Sequence, residues 1–432
     1  MTAPASENDG AMRDLATAFA ARSELASTPG RDVFARAERF TVATAARDAG
    51  LYPFFLPLDG SEGPEVIFEG RRVLMLGSNN YLGLTTHPRV RAAAAAAIER
   101  FGTSMTGSPL MNGTSRLHRE LEERLAAWHR KEAAIVFSTG YHANLAAISA
   151  LLSARRSTAL VDRSAHASIY DGIRLAQATG ARMVRFPHDD PASLDAALSG
   201  LGADDGALVV TEGVFSTDGG VARLPELVRV ARRHRARVLV DDAHGLGVMG
   251  PEGRGTVAHY QLEDEVDLVS GTFSKTLASV GGWLVGPRSV LDYIRHFASP
   301  LVFSASAPPA SVAAATAALD VLRDEPWLVT RLLENANFFR EELKTMGFDV
   351  GKSDSAIVPV VLRDDQRTIL MWRELFEVHG IYTNPFFSPG VPVGQALLRT
   401  SCMATHTTAH LERALDAFRD VGRRFGVIPA GA

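Results

Sequence analysis

The chain has 432 residues, 46% of them hydrophobic and 22% charged, with a formal net charge of −4. Such a length predicts two or three domains on large buried cores, and the near-balanced charge gives no electrostatic case for a nucleic-acid or anionic-membrane partner. The one cysteine, Cys402, excludes an internal disulfide framework and a cysteine-rich metal site, and reads as a small buried apolar residue.

In chain order, MTAPASENDGAMRDL shows no basic region leading into an apolar one, so neither a signal nor a transit peptide is expected. Residues 1 to about 30 read as a tail passing into a helical arm, and residues 31–50 as a helix. Short apolar runs bounded by turn residues follow at Val73–Leu76, Ala133–Phe137, Ala159–Val161, Met183–Phe186, Ala207–Val210, Val238–Val240 and Leu268–Val269. Several are rich in valine, as strands buried on both faces are. Helical stretches such as Leu117–Trp128 and Leu224–His234 lie between them. The alternation predicts an α/β fold with a mostly parallel sheet. From about Ala310 two long helical patterns, Ala310–Arg323 and Trp327–Met346, precede strand candidates at Ile357–Leu362 and Ala396–Thr400 and a last helix after Thr408. This predicts a smaller α+β domain. The longest membrane candidate, Ala143–Leu152, is too short to span a bilayer, so a cytoplasmic protein is expected.

Gly245-Leu246-Gly247-Val248-Met249-Gly250 follows a strand and has the spacing of a dinucleotide-binding turn. That motif needs a helix starting at its glycines. Pro251, Gly253 and Gly255 follow at once, so the reading fails.

Four other segments carry chemistry. Gly271–Thr276 places Lys275 among small hydroxyl residues at a strand end, where desolvation lowers an amine's pKa and makes it a nucleophile able to form a Schiff base. Val238–His244 puts Asp241 and Asp242 at the end of a buried strand, where open α/β sheets bind ligands. A carboxylate there can hold a pyridine nitrogen protonated, or the pair can cap the next turn. Phe137–Asn144 runs from strand to helix through hydroxyls and Gly140, a turn suited to a phosphate or simply to capping. Asp162–Ser168 brings His166, able to stack on a planar cofactor or to rest as a loop histidine. Singly, each has a bland explanation.

Their order, a phosphate turn, a histidine, a strand-end aspartate with His244, then a lysine, resembles the fold-type I pyridoxal-phosphate enzymes. More narrowly, it resembles the α-oxoamine synthase family and is closest to its serine palmitoyltransferase-like members. The likeness extends to Ser78–Leu84, Thr211–Gly219, Val280–Trp283 and Leu398–Ser401, and covers roughly residues 50–425. It implies a fold-type I α/β transferase with an N-terminal tail and arm (1–74), a large pyridoxal-phosphate domain (75–309) and a small C-terminal domain (310–432). It also implies that Lys275 carries pyridoxal 5'-phosphate, that Asp241 partners the pyridine nitrogen, that His244 bonds the phenolic oxygen and that His166 stacks on the ring. Lys275, His166 and Asp241 are then the catalytic residues. Gly140, Tyr141, Ser216 and Thr272 correspond to cofactor-contacting positions, while Ser304 and Ala305 match a segment reaching the neighbouring subunit's phosphate. A homodimer with shared sites is implied.

Arg399 and Asn80 match substrate-binding positions, Arg399 offering a bidentate fork to a carboxylate. The implied reaction condenses serine, alanine or glycine with an acyl thioester, on coenzyme A or an acyl-carrier protein, releasing CO2, free thiol and an α-amino ketone. An aminotransferase or aldolase on the same fold is the enzymatic rival. A non-catalytic partner subunit is another, opposed by the presence of Lys275, Asp241 and His166. Two departures from the family pattern stand out: Phe387 occupies the place of an arginine, and Pro109 follows Gly107-Ser108 where relatives often carry arginine.

Overall fold

A computed structural model describes residues 30–388 and 390–431, so most of the expected N-terminal tail lies outside the described residues. Residues 31–50 form two short helices, Ala35–Glu38 and Val42–Asp48, instead of one. Only Ala46 among their residues is buried, and a helix without a packed face gains little by growing.

Strands β1 (Gly60–Ser61), β2 (Glu65–Phe68) and β3 (Arg71–Met75) open the strand order. The central strands are β4 (Ala133–Phe137), β5 (Ser157–Asp162), β6 (Arg182–Phe186), β7 (Gly206–Glu212), β8 (Arg237–Asp241), β9 (Leu268–Thr272) and β10 (Gly282–Gly286). They form one seven-stranded sheet in the order β4-β10-β9-β8-β7-β5-β6. The run from β9 to β6 is parallel, and only β10 is reversed against its two neighbours. All other strands therefore end on the same edge. Alternation along each strand divides the core in two. Leu208, Val210 and Leu239 join Ile148, Ile169 and Ile173 on one face, while Val209, Val238 and Val240 join Leu227 and Leu319 on the other.

The predicted strands and helices recur with ends shifted by a few residues, and β10, whose start at Gly281-Gly282 has the composition of a turn, is an additional strand. The glycines serve close approach instead: a Cβ on Gly282 would lie 2.4 Å from the Thr139 carbonyl oxygen and 2.5 Å from Gly140. No helix begins at the 245–250 glycines, as anticipated; a 3-10 turn, Pro251–Gly253, follows.

Beyond the helices Pro309–Asp324 and Trp327–Thr345 come β11 (Ile357–Val361), β12 (Ile381–Tyr382), β13 (Asn384–Phe386) and β14 (Leu397–Ser401). Strands β11, β14 and β13 make an antiparallel sheet, whereas β12 pairs in parallel with β3 and so joins the N-terminal strands. The helix Pro309–Asp324 packs on Pro88–Phe101 and Arg116–Trp128. Among the described residues, no helix is long and apolar enough to cross a membrane. Cys402 is buried, and burial pushes its thiol up to about 12, an inert group.

Candidate active site

The parallel strand ends enclose a cleft of about 330 Å³. Thr139, Gly140, Tyr141 and Asn144 line it beyond β4, His166 and Ser168 beyond β5, Glu212 on β7, Asp241 and His244 at β8, and Thr272 and Lys275 at β9. Seven of the predicted site residues meet here: Gly140, Tyr141, His166, Asp241, His244, Thr272 and Lys275.

Each is placed by local physics. The helix Gly140–Leu152 is capped by Thr139, whose hydroxyl accepts from the His142 N–H at 3.1 Å. Its first turn thus presents backbone N–H groups at the cleft. Gly140 is required there, since a Cβ would fall 2.7 Å from the Thr272 Cβ. Thr272 in turn donates to the Gly281 carbonyl at 3.0 Å, and the Ser274 N–H donates to the Thr272 hydroxyl at 3.2 Å. Fully buried Phe273 and Leu277 anchor the segment that carries Lys275. Burial brings the Lys275 amine down to about 8, against the opposing pull of Asp241 and Glu212.

The neighbours Asp241 and Asp242 separate by strand alternation. Asp241 accepts from Asn144 Nδ2 at 2.6 Å and from the Ala243 N–H at 3.0 Å. Asp242 points away, accepting the Thr256 N–H at 2.9 Å and its hydroxyl, and burial raises it to about 7. Capping is thus the work of Asp242, and Asp241 faces the cleft.

Asn144 orients more than one group. Its amide donates to Asp241 and to the Ser168 hydroxyl (2.9 Å), and its oxygen accepts from Ser270 (2.7 Å). Ser168 passes the pattern on: its hydroxyl lies 2.8 Å from His166 Nδ1, and its N–H donates to that nitrogen at 3.2 Å. His166 Nδ1 is therefore the acceptor, and burial holds the ring below the ordinary histidine range as a neutral imidazole. His244 is likewise kept well below that range, chiefly by burial and then by Lys275, and its Nδ1 lies 2.6 Å from the Tyr81 hydroxyl.

Arg399, on β14 and 3% exposed, donates from Nε to the Ser216 carbonyl at 2.6 Å and from Nη2 to Asn79 Oδ1 at 2.8 Å and the Tyr81 hydroxyl at 3.4 Å. Neither Arg399 nor Ser216 is in the cleft lining itself, and Ser216 meets Arg399 through its backbone carbonyl. Asn80 is turned elsewhere, its amide donating to Thr85 at 2.8 Å, and it does not line the cleft; its neighbours Asn79 and Tyr81 reach Arg399 instead. Ser304 and Ala305 also lie outside the lining, with the Ala305 carbonyl accepting from Ser138. Phe387 stands with its ring centroid 5.9 Å from that of Phe54.

Tyr81, Asn144 and Glu212 lie within the motif segments, yet the sequence alone assigns them no role. For Asn144 the signal was present: it stands four residues after Gly140 and shares its helix face. For Glu212, nothing in the sequence says that its carboxyl faces Asp241 across the sheet.

The sequence profile of the family described as aminotransferase class I and II matches residues 71–418. The chain belongs to this family. Within it, the chain is 42% identical over 381 residues to a serine palmitoyltransferase of Sphingobacterium spiritivorum, spanning 88% of this chain and 94% of the relative. It is also 42% identical over 385 residues to an 8-amino-7-oxononanoate synthase of Geobacter sulfurreducens, spanning 88% and 97%. These are α-oxoamine synthases, the branch expected from the motif order. A high-resolution structure of SPT with a PLP internal aldimine superposes with a TM-score of 0.88 at 39% identity, covering 92% of this chain and all of that one, 100%. The serine palmitoyltransferase of Sphingomonas wittichii gives 0.87 at 38%, with coverage of 92% and 100%. The fold-type I architecture is thereby shown.

Proposed function

We propose that the protein is a pyridoxal-phosphate-dependent α-oxoamine synthase. It condenses a small amino acid (serine, alanine or glycine) with an acyl thioester, releasing CO2 and free thiol and yielding an α-amino ketone. The observation that carries this reading is the convergence of the Lys275 amine, at about 8, and the buried carboxylate of Asp241 in one cleft with the capped start of a 13-residue helix.

The donor set fits pyridoxal phosphate. The first turn at Gly140 and Tyr141 would hold the phosphate, where N–H groups and the helix dipole favour an anion. Asp241 would hold the ring nitrogen, His244 the phenolic oxygen, His166 the ring face and Lys275 the aldehyde carbon. When bound, the cofactor supplies an electron sink for the bonds at the amino acid's α-carbon.

The chain's own residues do the rest. Lys275, partly neutral near pH 8, accepts the proton leaving the substrate α-carbon and later returns one. The Asn144 amide fixes the orientation of Asp241, and Ser168 fixes the tautomer of His166. Arg399 binds the substrate carboxylate, with Asn79, Tyr81 and the Ser216 carbonyl holding its guanidinium in place. Asn80 contributes to that pocket through the backbone turn that carries Asn79 and Tyr81.

A homodimer in the cytoplasm belongs to the same reading. Ser304 and Ala305 directly follow Phe303, which is 85% exposed, and Phe297, six residues earlier in the chain, is 66% exposed. Large exposed aromatics of this kind suit a partner surface, across which Ser304 and Ala305 reach the second cleft. The division into residues 1–74, 75–309 and 310–432 is proposed with it. The deciding assay is amino-acid-dependent release of free thiol together with CO2, run across small amino acids, acyl lengths and both thioester carriers. Release of a keto acid or aldehyde without thiol would assign an aminotransferase or aldolase instead.

A further inference from the structure

Glu212 ends β7 inside the cleft and faces Asp241 across the sheet. Its side chain is buried at 3% exposure, and its Oε1 makes no hydrogen bond. The groups around it are Asp241 on β8, Asp162 on β5, Lys275 beyond β9 and the backbone of His166. Two carboxylates this deep and on adjacent strands do not both ionise readily. Asp241 has the Asn144 amide and the Ala243 N–H as donors, whereas the Glu212 Oε1 has none. As Lys275 becomes a neutral amine, it no longer offsets a second negative charge. Burial also pushes the Glu212 carboxyl well above the usual carboxylate range.

We propose that Glu212 stands in the cleft as a neutral carboxylic acid that donates a hydrogen bond from its bare oxygen to an anionic oxygen of the bound ligand. A deprotonated Glu212 would repel any such oxygen; the neutral acid turns the same side chain into a donor. The cleft then holds one fixed carboxylate, Asp241, on the side where a cationic ring nitrogen belongs. It holds one neutral donor, Glu212, beside it. The ligand half of the proposal rests on the pyridoxal-phosphate reading, whereas the protonation half concerns the protein by itself.

The first test uses the full chain without cofactor. An infrared difference spectrum, wild type minus Glu212→Gln, is taken at pH 7, where the Asp242 band is common to both proteins and cancels. The expected result is the carbonyl stretch of an undissociated acid. Carboxylate stretches in its place overturn the proposal.

The second test measures dissociation constants for pyridoxal phosphate and, with cofactor bound, for serine. Glutamine keeps the donor and the shape, so Glu212→Gln should stay within about threefold of wild type for both ligands. Glu212→Ala should lose about ten- to a hundredfold for the ligand whose oxygen is contacted, which also says whether cofactor or substrate supplies that oxygen. If glutamine fails as badly as alanine, or alanine binds both ligands as wild type does, the donor role is wrong. If wild type does not bind pyridoxal phosphate at all, the functional reading falls, while the infrared band still decides the protonation.

Discussion

Two carboxylates that are neighbours in the chain, Asp241 and Asp242, stand at the centres of two very different regions. Around Asp242 the protein closes on itself. A Cβ on Gly213, Gly245 or Gly255 would come within 2.2, 1.9 and 2.0 Å of its oxygens, and Thr256 satisfies both of them. Around Asp241 the protein stays open. That carboxylate has two donors from its own chain and borders a cavity of about 330 Å³. A group consumed by its own fold is architecture, whereas one left with space beside it is available for chemistry. Both carboxyls are buried, and what sets them apart is the space beside them.

The strongest way to break this comparison is to remove the group on the open side. Lys275→Ala should lower turnover by at least about 10³-fold and abolish the colour of the bound cofactor, with an unchanged circular dichroism spectrum; normal turnover would refute the assignment. Asp241→Asn should cost on the order of 10²–10³ in kcat while cofactor still binds, measured by absorbance titration.

Arg399→Lys should raise KM for the amino acid by roughly tenfold or more, because an ammonium cannot reproduce the fork held by Asn79 and Ser216. On the closed side, Gly245→Ala should destabilise by about 1–3 kcal/mol through overpacking against Asp242, read as a fall in Tm. Its kcat at low temperature should fall little. An equal loss of kcat there would erase the distinction between the regions.

The smallest effect is in pH. A lysine brought down to about 8 is roughly one-tenth neutral at pH 7 and half neutral at its midpoint. Attachment of pyridoxal phosphate to the cofactor-free protein should accelerate as pH rises through about 8 and then level off. A midpoint near the ordinary lysine value would contradict the burial of that amine.

Much of this was legible in the sequence because it is local. The strand-end positions of Lys275, Asp241 and His166, and the helix start at Gly140, each depend on a dozen neighbouring residues. The choice between Asp241 and Asp242 was open on residue chemistry, since both end one strand; it is settled by which side each faces. Strand β10 was hidden because its glycines resemble a turn, yet they exist so that backbones can touch. The partnership of Tyr81 with His244 and Arg399, and that of Glu212 with Asp241, join distant parts of the chain. Local pattern cannot supply such pairs. The failed expectation for residues 31–50 has the same root, for helix length there depends on a packing face the segment does not have.

The short parallel seam between β3 and β12 pairs Leu74 with Ile381 and Met75 with Tyr382. Asn79 and Tyr81 follow one side of the seam and Arg399 follows the other. A slip of one residue would turn β3 inside out and carry Asn79 and Tyr81 off the guanidinium they hold. Two residue pairs therefore act as the gauge that sets the depth of the substrate's seat.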